Sequence, residues 1–309
     1  MNIITPITIT DSMVGAGTTI AEPAAGETAW SGSSVAYSVG DERIRATTHR
    51  KYRCATAHTS AASPLPENDP TRWVDIGPTQ RWAPFDTYTS TTATATTSIT
   101  YVLTPGYFNA LALYGLTGSA YTITIKDAPG GTTLTTRTGY LTEDPMGWYE
   151  YLFGAPRTIN KVVETDLPIR PNAEATITIT AASGQPVGIG MIVAGDYTSL
   201  VGNGDWGGTQ YGAKAEPITY SYIKTADDGT TTIVRRHAAT NMRVTIAMPR
   251  AEADAVLQAV QNVLDVPVAW IATDATGYRG LNTFGLGSGS MSYDSFGSAN
   301  LEITVKGMI

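Results

Sequence analysis

Apolar residues in this chain recur at every second position in one stretch after another, and at helical spacing in only one. Tyr121, Ile123 and Ile125 alternate with Thr122, Thr124 and Lys126. Ile177 and Ile179 alternate within 175–181, and Val244, Ile246 and Met248 alternate with Arg243, Thr245 and Ala247. Leu301, Ile303 and Val305 face away from Glu302, Thr304 and Lys306. A period of two sends successive side chains to opposite faces, so each stretch reads as a half-buried strand. The continuous apolar runs 108–116 and 187–193 read as strands buried on both faces. Against these stands one amphipathic helix at about 250–264, carried by Val256, Ala259, Val260, Val263 and Leu264. Pro249 suits its start, Glu252 and Asp254 suit the positive end of its dipole, and Pro267 stops it. The pattern predicts a mainly β protein. A charged fraction of only 15%, with abundant Gly and Thr, agrees with that.

From Trp30 to Phe85 the pattern changes. Trp30, Tyr37, Ile44, Tyr52 and Trp73 are spaced too widely and irregularly for a helix, and polar residues surround each. Gly40-Asp41 is a turn pair, since Gly tolerates positive φ and Asp bonds its own backbone. These features describe a small, loop-rich β module with a core of a few rings. The order Trp30, Tyr37, Gly40-Asp41, Ile44, Tyr52, Trp73 resembles the small chitin- and cellulose-binding modules of bacterial glycosidases. Where that family carries an aromatic pair that stacks on sugar, this chain has Ala57-His58. Followed by the phrase Ile-Gly-Pro-Thr-Gln-Arg-Trp-Ala-Pro-Phe-Asp at 76–86, the same module resembles tail proteins of bacteriophages. The strand–helix–strand order at the C-terminus resembles them less closely. The resemblance implies a virion structural protein of the tail or baseplate, assembled in a host cytoplasm. Its implied partners are other tail proteins and further copies of itself in a symmetric assembly, with a host surface glycan as an alternative.

At 309 residues the chain has room for two or three domains of roughly 100–150 residues each. Residues 1–28 read as an extended arm whose Pro6 suits an edge strand; such an arm either gains order by lying on another subunit, helping to hold neighbours, or is a flexible tail. Residues 29–80 form the aromatic module, and 81–200 read as a β-sandwich or jelly roll with turns such as Pro129-Gly130-Gly131. Residues 201–216, with five glycines, read as a linker or interface loop. Residues 217–309 read as a separate α+β unit. In it Asp227-Asp228-Gly229 makes a hairpin turn, and the helix packs Val256, Val260, Val263 and Leu264 onto a sheet.

Chemistry is sparse. The single cysteine, Cys54, has no disulfide partner and reads as a small buried hydrophobe. No G-x-S-x-G elbow occurs, and His49, His58 and His237 each stand isolated among polar residues, as solvated or hydrogen-bonded histidines do. Those three with one Cys give no zinc spacing. A glycosidase needs two carboxylates flanking a cleft, and Glu143, Asp144 and Glu150 are the best candidates. Their surroundings read more simply as a strand with Tyr149, Tyr151 and Phe153 on one face. Asp205, Asp227 and Asp228 do not follow a calcium loop, and 285–289 is not a dinucleotide loop. No catalytic residue, metal or cofactor is expected. A net charge of −7 and a pI near 5.0 argue against a nucleic-acid groove. The start lacks a basic, apolar leader, so no signal peptide is expected, and no apolar run reaches the roughly 20 residues of a membrane helix. The candidate glycan or partner contacts are His58, Trp82, Trp148, Tyr149, Tyr151, Trp206 and Tyr211, although Trp82 reads more simply as a pin of the module onto the sandwich, with Pro84 and Phe85 fixing the exit of the chain. The first expectation is a non-enzymatic tail protein. Carbohydrate binding is the second, and a glycan hydrolase carrying a binding module the third.

Overall fold

The computed structural model describes residues 1–145, 147–155, 157–201, 206–273, 275 and 277–308. The protein is mainly β, and its described α-helices are α1 (Trp148–Phe153) and α2 (Arg250–Gln261). Ten strands form one sheet. Its order runs from Lys161–Glu164 through Ala110–Tyr114, Met191–Ser199, Asn2–Pro6, Val268–Ile271, Asn282–Ser292 and Ser298–Gly307 to Ala238–Pro249, which pairs with both Gly208–Thr209 and Lys214–Thr219. This sheet joins strands from 81–200 to strands from 217–309. The two are therefore not built on separate sheets.

The N-terminal strand lies in the middle of that sheet. Ile3 is opposite Thr198 on one side and Trp270 on the other. The edge position expected from Pro6 is thus corrected. Pro6 ends the strand, beyond the part paired on both sides, so its missing N–H interrupts nothing. The rest of the arm is also placed on its own chain. Gly15 N donates to Val102 O (2.7 Å) and Thr19 N to Thr100 O (2.9 Å). The expected linker is likewise part of the sheet where it is described: Gly208–Thr209 pairs with Ala247 and Ile246, and Gln210 N donates to Thr245 O (2.8 Å).

Alternation divides the core by face. Leu111, Leu113, Ile192 and Ala194 meet Ile99, Tyr101, Ile123, Ile125, Ile177 and Ile179 of a second, four-stranded sheet, which gives the expected sandwich packing. Further along the large sheet, Val244, Ile246, Trp270, Leu301 and Ile303 receive Val256, Val260 and Val263. Leu264 is 41% exposed, against expectation, because the helix ends at Gln261 and its phase is lost beyond that point. The opposite face holds Ile4, Ala112, Tyr114, Val193, Ala269 and Phe284. Tyr114 and Phe284 lie on strands separated by three others, yet their ring centroids are 6.1 Å apart. The sheet therefore curls until this face closes on itself. On the helix-bearing face, Trp270 fits against the neighbouring strand because Gly287 has no Cβ. One placed there would overlap the indole ring, whose Nε1–H donates to Gly285 O at 3.0 Å.

The segment 148–153 is a helix, which corrects the expected strand. Alternation at 149, 151 and 153 fits a strand, but among the described residues no neighbouring strand takes its backbone hydrogen bonds. A single turn instead satisfies them internally: Tyr151 N donates to Gly147 O and Gly154 N to Glu150 O. It also brings Tyr149 against Phe153 and Trp148 against Tyr151 at helical spacing.

Candidate functional site

The aromatic module buries the rings that define it. Tyr37, Tyr52, Cys54 and Trp73 form its core, with Trp30 partly buried against them. Tyr37 and Trp73 meet edge to face at 5.1 Å, and the Tyr37 hydroxyl donates to Ser31 O at 3.1 Å. Gly40, at φ +95°, makes the expected turn, where the Asp41 carboxylate accepts the Ser38 N–H. His58 sits at the rim, with Nδ1 2.8 Å from Thr56 O and its ring against Tyr37 and Trp73. Cys54 Sγ is 3.8 Å from His58 Nδ1. Burial raises the thiol pKa.

Trp82 is only 7% exposed and offers no glycan platform, which corrects its candidacy as a contact. Its ring stacks on His49 at 4.0 Å and meets Phe85, which in turn meets Tyr101 of the sandwich. The Tyr101 hydroxyl donates to Arg81 O (3.0 Å), and Arg81 donates to Ile20 O (2.7 Å). The phrase at 81–85 is thus the joint between module and sandwich. His49 is not isolated, as the sequence suggests. Glu22 lies 2.9 Å from its Nδ1 and Asp11 3.1 Å from its Nε2. With both ring nitrogens engaged by carboxylates and no nucleophile alongside, it is an anchor for the arm.

The other candidates are exposed. Trp148 is 82% exposed, and Tyr149, Tyr151, Leu152 and Phe153 stand out beside it on α1. Tyr211 is fully exposed and Trp206 half exposed. Of the seven candidates, His58 and Trp82 included, only Trp148, Tyr149 and Tyr151 share an element. Glu150 pairs with Arg157 (2.8 Å) and Glu143 with Arg279 (3.5 Å). Asp227 and Asp228 lie on the hairpin turn between Tyr222–Thr225 and Thr231–Val234, and Asp205 lies outside the described residues. Among the described residues no three His, Cys, Asp or Glu side chains converge on a metal position, and no helix is long and apolar enough to cross a membrane.

A cleft that no sequence motif marks lies along the free edge of the strand Lys161–Glu164. Its volume is about 530 Å³. Strand Thr133–Tyr140 supplies Arg137 and Tyr140, strand Ala120–Lys126 supplies Tyr121, and the turn before Asn282 supplies Arg279. The Tyr121 ring lies over Gly139, where a Cβ would overlap it, and its hydroxyl donates to Glu164 Oε1 at 2.8 Å. Burial first, then this carboxylate, raises the Tyr121 pKa. Asp166 holds the left-handed backbone at φ +54°. These residues come from four separated segments, and no spacing in the chain could have grouped them. No family model matches the sequence, and no curated protein or solved structure is detectably similar to it.

Proposed function

We propose that the chain is a non-enzymatic structural protein of a bacteriophage tail, from the baseplate or tail-tip region, that holds neighbouring proteins in place. The observation that carries this reading is apolar surface concentrated on elements that leave the β body. All the aromatic side chains of α1 face solvent, as do Ile223 and Ile233 of the hairpin 222–234, whose two strands pair only with each other. Contiguous exposed apolar side chains on projecting elements are a mark of protein interfaces. The resemblance at 30–86 supplies the tail context. The arm is not among the docking elements, since its strand is committed to the chain's own sheet.

These surfaces favour protein over sugar as the partner of α1. A stacking platform needs coplanar rings, and here Trp148 and Tyr151 meet at 86° and Tyr149 and Phe153 at 45°. Trp73 of the module and Trp82 of the joint are buried.

The test uses purified particles carrying a label inserted at Asp227-Asp228-Gly229. Electron microscopy is expected to find the label on the tail. A Trp148→Ser/Tyr151→Ser variant is expected to fold normally and fail to incorporate. A protein absent from particles, or a double variant that incorporates like wild type, would overturn the reading. Turnover of a cell-wall polysaccharide by the wild type that Glu150→Gln abolishes would do the same.

A further inference from the structure

Lys161 is the group in the edge cleft whose environment is incomplete. Its Nζ donates to the backbone carbonyl of Asn282 at 3.0 Å, across the seam where the curled sheet nearly closes. That satisfies one of three ammonium donors. Burial lowers its pKa, and no carboxylate among the described residues acts on it. The ammonium does not sit in packed protein. Lys161 lines both the edge cleft and a second cavity of about 230 Å³ behind it, which has no Asp or Glu in its described wall. Three buried polar atoms beside it lack partners: Asn282 Oδ1, Thr283 Oγ1 and the Tyr114 hydroxyl. A part-buried ammonium with one protein acceptor, next to unused hydrogen-bonding groups, gains from a ligand that supplies the missing partners.

The cleft walls indicate what that is. Charged groups lining it are Arg137, Lys161, Arg279, Glu164 and Asp166; Arg137 lies 3.9 Å from Glu164 and Arg279 3.5 Å from Glu143, which leaves Lys161 as the cation outside these ion pairs. Tyr140 presents an exposed ring at the mouth. Planar carboxylate, amide and guanidinium groups beside an aromatic face are suited to the hydroxyls and C–H face of a pyranose. The extra cation is suited to an acidic substituent. The volume lies within the usual range for small-ligand sites, about 300–1,000 Å³.

We propose that this cleft binds a carboxylate-bearing saccharide. The sugar carboxylate meets Lys161 Nζ, a pyranose face lies on Tyr140, and hydroxyls meet Glu164 and Asp166. The assignment does not depend on the tail reading, because it rests on the cleft alone. It also uses none of the rings of the aromatic module.

Calorimetric titration of the full-length protein with digalacturonic acid, N-acetylneuraminic acid, the neutral disaccharide galactobiose and acetate tests it. At least one acidic sugar is expected to bind about tenfold or more tightly than galactobiose and than acetate. Tyr140→Ala, at an exposed position, is expected to weaken sugar binding about tenfold without shifting the melting temperature. Lys161→Met is expected to remove the preference for acid over neutral sugar, and Lys161→Arg to retain it. If Lys161→Met folds poorly, Lys161→Arg and Tyr140→Ala decide the matter. Absence of binding by either acidic sugar, equal affinity for galactobiose, or acetate binding as tightly as the sugars overturns the proposal. Acidic-sugar binding that survives Tyr140→Ala places the site elsewhere and overturns it equally.

Discussion

Asp86 caps the short turn Ala83–Phe85 that joins the module to the sandwich. Its carboxylate accepts the Thr91 hydroxyl at 2.5 Å and the Tyr88 N–H at 2.8 Å. Burial raises its pKa and outweighs the pull of both hydrogen bonds and of Arg50. The folded state therefore holds the proton more tightly than the unfolded chain does. Its stabilising contribution is complete below the ordinary aspartate value of about 3.9 and is lost as pH rises through the raised folded value. Asp86→Asn has no such titration. Denaturation measured between about pH 3 and pH 7 should show the variant gaining on wild type as pH rises out of the acid range, then levelling off. A difference that is flat with pH would contradict this assignment. The lesson at this scale is that Asp86 looks in sequence like any loop aspartate, and only its neighbours in space give it a titration of its own.

Among the elements, α2 was the most legible and α1 the least. Val256, Val260 and Val263 fall on one face in sequence and are buried on the sheet in the fold. Val260 is 2% exposed. Val260→Asp puts a charge there with no cation to meet it and should cost about 3–4 kcal/mol. Leu264→Asp, past the helix end, should cost less than about 0.5 kcal/mol. Chemical denaturation of the two variants checks both. Equal melting would mean the helix is not docked through this face. In α1 the same alternation that marks a strand elsewhere is misleading. Periodicity reports which side chains share a face only when a sheet exists to define the face, and among the described residues 148–153 has no strand beside it.

In the whole molecule, the N-terminal strand links strands that the chain visits far apart. Met191–Ser199 and Val268–Ile271 both pair with Asn2–Pro6. Its removal would leave two rows of backbone groups without partners and uncover Ile3 and Ile4, which are 3% and 0% exposed. Deleting residues 1–6 should consume a large part of a domain's usual stability of about 5–15 kcal/mol. The expected result is loss of soluble protein or of a single cooperative melt. A truncated protein that melts in one transition within a few degrees of wild type would show that the strand is dispensable.

Local pattern alone determined the β class, the strands with clean alternation, the Asp227-Asp228-Gly229 hairpin and the position of α2, because each depends on spacing within one short stretch. Tyr37, Tyr52 and Trp73 were legible as a core for a similar reason: rings set among polar residues have to be buried together. Tertiary structure decided what spacing does not encode. Pro6 made 1–28 look like an edge arm, yet the strand is central, because both its neighbours are supplied by residues about 190 and 270 positions away. Trp82 reads in sequence both as a pin between module and sandwich and as a contact, and the fold makes it the pin, because His49 and Phe85 close over it. Lys161 carries no motif. It became notable only when the curl of the sheet brought it to Asn282 with a single protein acceptor between two cavities, a placement that exists in the folded chain and nowhere in the order of its residues.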